Sequence, residues 1–117
     1  MSEERLQQEC YLWFRGEYKE FKLLLFHVPN GGARNAREGA KFKTMGVTAG
    51  VADLFFLLDS VAYFFELKRE AGGQSPKQKK WQEAVEKQGF QYFIIRDLKT
   101  FQEIIKKIFD MYYFLEE

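Results

Sequence analysis

Two apolar runs of strand length follow one another closely in the middle of the chain. They cover residues 51–58 and 61–68, and only Asp59 and Ser60 separate them. Two such runs joined by a two-residue polar connection predict a β-hairpin with a tight turn. A hairpin is stable only when other elements cover its apolar faces, so this segment constrains the fold more than any other.

Hydrophobic periodicity predicts further elements on both sides of the hairpin. Helices are predicted over residues 3–15, 34–45, 76–88 and 98–112, and strands over residues 22–29 and 90–96. Ser2 and Ser75 are the expected N-caps, and Gln78 completes a capping box with Ser75. The order α-β-(α)-β-β-α-β-α predicts one α/β domain over residues 1–117, with a four-stranded mixed sheet flanked by helices.

Composition suits a compact domain with a large core. Hydrophobic residues make up 46% of the 117 residues and aromatic residues 18%, which excludes a disordered or collagen-like chain. The single cysteine, Cys10, has no partner for an internal disulfide, and we interpret it as a core residue. No apolar run is long enough to cross a membrane, and residues 1–5 are charged. We therefore expect a soluble intracellular protein without a membrane partner.

Basic residues are concentrated in the middle of the sequence, although the net charge is only +1. Between residues 34 and 80 there are nine basic and five acidic residues. The basic residues of this stretch are Arg34, Arg37, Lys41, Lys43, Lys68, Arg69, Lys77, Lys79 and Lys80. A basic region beside isolated acids is typical of a protein that holds a polyanion and a metal ion together. The alternative is a solvated, lysine-rich surface.

Three charged residues lie at the open end of the predicted hairpin. Asp53 stands near the start of its first strand, and Glu66 and Lys68 stand near the end of its second. Because Glu66 and Lys68 are two residues apart, their side chains point to the same sheet face. Buried charges are costly unless they are paired or bind a metal, and hard oxygen donors suit Mg²⁺ or Mn²⁺. The structural alternatives are a buried salt-bridge cluster and charges at the hairpin end that reach solvent.

Four motifs in this order resemble those of a known nuclease family. They are HVPNGG at residues 27–32, GVTAGVADL at 46–54, FELKR at 65–69 and SPKQKKW at 75–81. The series resembles the virus-type replication-repair nuclease (VRR-NUC) branch of the PD-(D/E)xK superfamily. The resemblance covers nearly the whole chain and implies a restriction-endonuclease-like core, with the order α-β-β-β-α-β and one extra helix. One departure is Ala52, where the family usually has proline before the acidic residue.

The resemblance assigns roles to individual residues. It implies that Asp53, Glu66 and the backbone carbonyl of Leu67 bind Mg²⁺ or Mn²⁺, and that Lys68 is the catalytic lysine. Gln78 then faces the metal site or the scissile phosphate.

A glutamate on the first helix, four residues before a glutamine, is also implied near the metal. Both Glu3 and Glu4 fit this spacing. Helical phase places Glu3 on the same face as Leu6 and Cys10, so we prefer Glu3. The alternative is that both are first-turn acids favoured by the helix dipole.

Further residues are expected to contact DNA. Asn30 lies near the site by resemblance, and the basic side chains would contact backbone phosphates without reading sequence. These DNA-binding candidates are Asn30, Arg34, Arg37, Lys41, Lys43, Lys77, Lys79 and Lys80. His27, the only histidine, we interpret as a packed strand residue rather than a general base.

The function implied is that of a divalent-metal-dependent DNA endonuclease that hydrolyses phosphodiester bonds. The resemblance implies branched DNA or a Holliday junction as the substrate, a role in DNA repair, and a homodimer. It also implies a cytoplasmic or nucleoid-associated location, and a phage gene is one origin for such a chain. The alternative is a catalytically silent nuclease-fold module that only binds DNA or a protein partner.

Overall fold

A computed structural model of the chain describes residues 1–29 and 36–116. Helix α1 (Glu3–Glu17) begins at Ser2, whose hydroxyl accepts a hydrogen bond of 3.1 Å from the Arg5 amide. This cap is the one predicted. No helix within the described ranges is long and apolar enough to cross a membrane.

Strand β1 (Leu25–His27) is shorter than the strand predicted over residues 22–29. A 3-10 helix, Lys19–Leu24, takes the place of its first part. In a 3-10 helix, side chains three residues apart lie on one side, and here Phe21 and Leu24 both pack against the core. Phe21 and Leu24 are thus partly buried by a helical turn, whereas Leu23 is exposed. A short apolar run in the sequence does not distinguish such a turn from a strand.

The remaining elements follow the predicted order. They are α2 (Ala36–Thr44), β2 (Leu54–Leu58), β3 (Val61–Leu67), α3 (Pro76–Lys87), β4 (Gln91–Ile95) and α4 (Leu98–Glu116). Asp59 and Ser60 have φ angles of 50° and 66° and connect β2 to β3, as a type I′ hairpin turn requires. Helix α4 extends past the predicted end at residue 112.

The four strands form one mixed sheet in the order β1-β2-β3-β4. Strands β1 and β3 both pair antiparallel with β2, whereas β3 and β4 run parallel and are connected through α3. This confirms the prediction of a four-stranded mixed sheet flanked by helices.

The two faces of the sheet carry separate hydrophobic clusters. One face packs against α1 and α4, with Phe14, Phe56 and Phe101 fully buried. Cys10 lies in this cluster, and burial raises the pKa of its thiol to about 12, so it is an unreactive core residue as expected. The other face packs against α3, where Phe64 contacts Trp81 edge to face.

Strand alternation places the charged residues on the α3 face. Phe55 and Phe64 belong to the cluster beneath α3, and residues two apart in a strand share a face. Asp53 precedes Phe55 by two positions, and Glu66 follows Phe64 by two. The register pairs Leu54 with Phe65, so Asp53 and Glu66 are opposite one another at the open end of the hairpin.

The loop before Asp53 packs tightly against the first turn of α3. Gly50 is buried and has a φ of +87°, and a Cβ atom there would lie 2.5 Å from the carbonyl oxygen of Lys77. Only glycine meets both demands, the left-handed backbone and the close approach of two backbones.

We predict that Gly50→Ala destabilises the fold by about 3 kcal/mol or more, because steric overlap adds to backbone strain. Gly46→Ala is the matched control, since Gly46 has a φ of +96° but no atom within 4 Å of the added Cβ. It should cost only about 1–2 kcal/mol of strain. Urea unfolding measures both. An equal loss of unfolding free energy in Gly50→Ala and Gly46→Ala would show that the contact between the loop and α3 is not tight.

Candidate active site

Asp53 is held in place through both its backbone and its side chain. The Val28 amide and His27 Nδ1 lie 3.1 Å and 2.7 Å from its carbonyl oxygen. A carbonyl only accepts, so Nδ1 carries the proton. The amide of Leu67 donates to Asp53 Oδ2 at 2.8 Å. His27 lies in a strand as predicted, but it is exposed and not packed, and its ring fixes Asp53.

Glu66 and Lys68 are charged residues buried within the domain. Their exposed fractions are 1% and 6%, values rare for ionisable side chains. The Lys68 Nζ atom lies 3.9 Å from Glu66 Oε2, so the two side chains form a buried ion pair. They lie on the same side of β3, as the two-residue spacing predicted.

Gln78 connects this ion pair to α3. Its Nε2 donates to Glu66 Oε2 at 3.1 Å, and its Oε1 accepts from Lys68 Nζ at 2.8 Å. The same Oε1 accepts from the Ser75 amide at 2.8 Å and completes the predicted capping box. An amide oxygen has two lone pairs, so Gln78 caps the helix and orients the charged pair at once.

Burial raises the pKa of Glu66 to about 8. The hydrogen bond and the negative charge of Asp53 contribute to this rise in pKa, and the Lys68 ammonium and the Tyr92 hydroxyl oppose it. Two carboxyl groups are thus in contact, and one lysine offsets only part of their charge. A dication bound between them would remove this repulsion.

The donor set fits Mg²⁺ or Mn²⁺. These ions accept one or two carboxylates and keep several waters. Asp53 and Glu66 supply two carboxylates. The amide and carbonyl of a strand residue point to the same side, so the Leu67 carbonyl faces the side on which its amide meets Asp53. Among the described residues, no group of three or more acidic, histidine or cysteine side chains could hold a metal ion.

Glu3 does not join the pair of carboxylates. Its Oε2 lies beside the turn that follows Lys68, 3.4 Å from where a Cβ of Gly72 would stand. Glu4 is exposed and Glu3 half-buried, which agrees with the helical phase. Helix α1 packs on the sheet face opposite α3, and a role for Glu3 at the metal stays a prediction.

The predicted DNA-binding residues lie on exposed surface wherever the structure describes them. Arg37, Lys41 and Lys43 are exposed on α2. Lys77, Lys79 and Lys80 are exposed around the first turn of α3, next to Gln78. Asn30 and Arg34 lie outside the described residues.

Sequence reasoning missed two polar side chains beside the site. The Tyr92 hydroxyl donates to Glu66 Oε1 at 3.4 Å, and Gln74 Nε2 donates to that hydroxyl at 3.3 Å. Tyr92 is buried on β4, and only the register between β3 and β4 brings it to Glu66. The strand predicted over residues 90–96 includes Tyr92, but a predicted strand does not identify the residues that its side chains contact.

We predict that Glu66→Gln raises the melting temperature of the metal-free protein at pH 8. The folded-state pKa of Glu66 lies above its ordinary value, so the fold favours the protonated carboxyl and loses stability as pH rises from 5 to 8. Glutamine cannot ionise, and its amide can donate to Asp53. The gain at pH 8 should be at least about 1 kcal/mol, roughly 4–8 °C.

At pH 5 the difference in melting temperature between Glu66→Gln and the wild type should be smaller than at pH 8. Thermal melts in EDTA at both pH values measure it. Glu103→Gln, at an exposed position of α4, is the control and should show no pH-dependent gain. An equal difference in melting temperature at pH 5 and pH 8 would contradict a raised pKa of Glu66 in the folded protein.

One comparison with known proteins agrees with the overall fold. No family model matches the sequence, and no curated protein matches it. Among solved structures, a protein described as a "VRR_NUC domain protein" superposes with a TM-score of 0.75 at 22% sequence identity. The match covers 92% of this chain and 87% of that chain. This chain therefore has the fold of a VRR-NUC domain, as its motif series predicted.

Proposed function

We propose that this protein is a divalent-metal-dependent DNA endonuclease. The observation that carries the proposal is the convergence of Asp53, Glu66 and Lys68 on the α3 face, with two carboxyl groups in contact and only one ammonium group beside them. Such an arrangement costs folding free energy unless a cation offsets it, so it is better explained by binding than by stability.

Each residue of the group has a distinct task. Asp53, Glu66 and the carbonyl of Leu67 would hold Mg²⁺ or Mn²⁺. The metal, when bound, supplies positive charge to phosphoryl oxygens and makes water a better nucleophile. Within the described part of the chain, Lys68 Nζ makes one hydrogen bond, of 2.8 Å to Gln78 Oε1. The ammonium group therefore keeps donors for an anionic oxygen or for the attacking water. Gln78 holds Lys68 and Glu66 at a fixed separation.

The substrate backbone would approach along α3. Lys77, Lys79 and Lys80 are exposed within one turn of Gln78, which itself reaches the site. These lysines would bind backbone phosphates close to the scissile bond. They would not contact the bases, so they would confer no sequence preference. Arg37, Lys41 and Lys43 would extend this surface.

We also propose branched DNA as the preferred substrate and a homodimer as the active form. The end of α4 exposes Met111, Tyr113, Phe114 and Leu115, an apolar surface suited to self-association. Two sites related by a two-fold axis would match a two-fold junction.

The first test is cleavage of linear, flap, forked and four-way DNA with Mg²⁺ or Mn²⁺. We predict that Asp53→Asn and Lys68→Ala each lower the cleavage rate more than about 100-fold, a loss of about 2.7 kcal/mol of transition-state stabilisation. DNA binding should persist. Asp59→Asn is the matched control, because Asp59 lies at the closed end of the same hairpin.

Unchanged cleavage by both variants would contradict the assigned roles. A second candidate function is that of a silent DNA-binding module. It is favoured by the absence, among the described residues, of any buried side-chain polar atom lacking a partner. DNA binding without cleavage of any substrate in the panel, in either metal, would support it.

The DNA-binding surface can be tested separately. We predict that replacing Lys77, Lys79 and Lys80 by alanine weakens binding to all sequences alike. The slope of log K against log salt should fall by about one for each lysine that contacts a phosphate. Fluorescence anisotropy over a salt series measures it. As a control, Lys99, Lys106 and Lys107, on α4 at the opposite face, are replaced by alanine, and the slope should not change. An equal fall in the slope would contradict DNA binding by the lysines of α3.

A further inference from the structure

Tyr92 reaches the candidate metal centre from a strand that the mechanism above does not use. In the parallel pairing of β3 with β4, Glu66 is opposite Ile94, so Tyr92 lies diagonally next to Glu66 on the same face. Its hydroxyl is 3.4 Å from Glu66 Oε1. Tyr92 is only 8% exposed, and its ring packs 6.1 Å from that of Trp81.

A second layer of hydrogen bonds sets the direction of the tyrosine hydroxyl. Gln74 donates one hydrogen of Nε2 to the Tyr92 hydroxyl at 3.3 Å and the other to Gln82 Oε1 at 2.8 Å. An amide nitrogen has two hydrogens and accepts none, so this arrangement uses both. Because the Tyr92 oxygen accepts a hydrogen bond from Gln74, the hydroxyl proton of Tyr92 is directed to Glu66.

The two oxygens of Glu66 are therefore held by different parts of the fold. Gln78, on α3, donates to Oε2 at 3.1 Å, whereas Tyr92, on β4, donates to Oε1. Donors on both oxygens fix the plane of the carboxylate and its rotamer. Each oxygen still keeps lone-pair capacity for a further partner.

We propose that Tyr92, held by Gln74, is a positioning residue that fixes Glu66 for binding the divalent metal. This inference rests on the proposed function. Partners that hydrogen-bond to metal ligands pre-orient them, and their loss weakens metal affinity by about 10–100-fold. Tyr92 touches neither the metal nor the substrate, and it acts through Glu66.

Tyr92→Phe tests the proposal because it removes one oxygen atom and keeps the ring on Trp81. Binding of Mn²⁺ to the free protein is measured by electron paramagnetic resonance of the unbound ion, well below the melting temperature of every variant. We predict that Tyr92→Phe raises the Kd for Mn²⁺ about tenfold or more. Gln74→Ala, which keeps the tyrosine, should raise it in the same direction by less.

Tyr63→Phe is the control for loss of a half-buried phenol on the neighbouring strand. Burial raises the pKa of Tyr63 as it does that of Tyr92, but Tyr63 faces the α1 and α4 side. The Kd of the Tyr63→Phe variant for Mn²⁺ should stay within twofold of the wild-type value. A wild-type protein that binds Mn²⁺, with a Tyr92→Phe variant that binds equally well, would overturn this inference alone. A wild-type protein that binds no Mn²⁺ would overturn the proposed function and this inference with it.

Discussion

Two carboxyl groups and one ammonium group meet at the open end of a β-hairpin, with Glu66 and Lys68 buried and Asp53 half-buried. Burial and the neighbouring Asp53 raise the pKa of Glu66, and Lys68 offsets this only in part. The fold carries an unfavourable electrostatic interaction at this end of the hairpin, and the surrounding elements hold the charged groups in place. A protein selected for stability alone would gain by replacing such a group with apolar side chains.

The groups that hold these side chains come from strands β1, β3 and β4 and from α3. His27 and Val28, in and just after β1, hold the carbonyl of Asp53, and the Leu67 amide holds its carboxylate. Helix α3 contributes Gln78, which its own capping box fixes. Strand β4 contributes Tyr92. Because the side chains are positioned before any ligand binds, little reorganisation would remain for metal binding, which is what efficient electrostatic stabilisation requires.

Local patterns in the sequence were sufficient to predict most of the helices and strands and the placement of Glu66 and Lys68 on one face. The hairpin, the capping box and the sharing of one face by Glu66 and Lys68 all follow from spacings of two or three residues. The 3-10 helix before β1 could not be predicted, since its apolar residues are equally suited to a strand. Tyr92 and His27 could not be assigned roles, because their partners depend on strand register and on backbone contacts between residues distant in sequence.

The central claim is that Asp53, Glu66 and the Leu67 carbonyl together bind a divalent cation. The most direct measurement is the anomalous scattering of Mn²⁺ in crystals of this protein grown with the ion. The account predicts one strong peak per chain, within coordination distance of one oxygen from each of these three residues. A chain with no peak there, in crystals where Mn²⁺ occupies other positions, would contradict it.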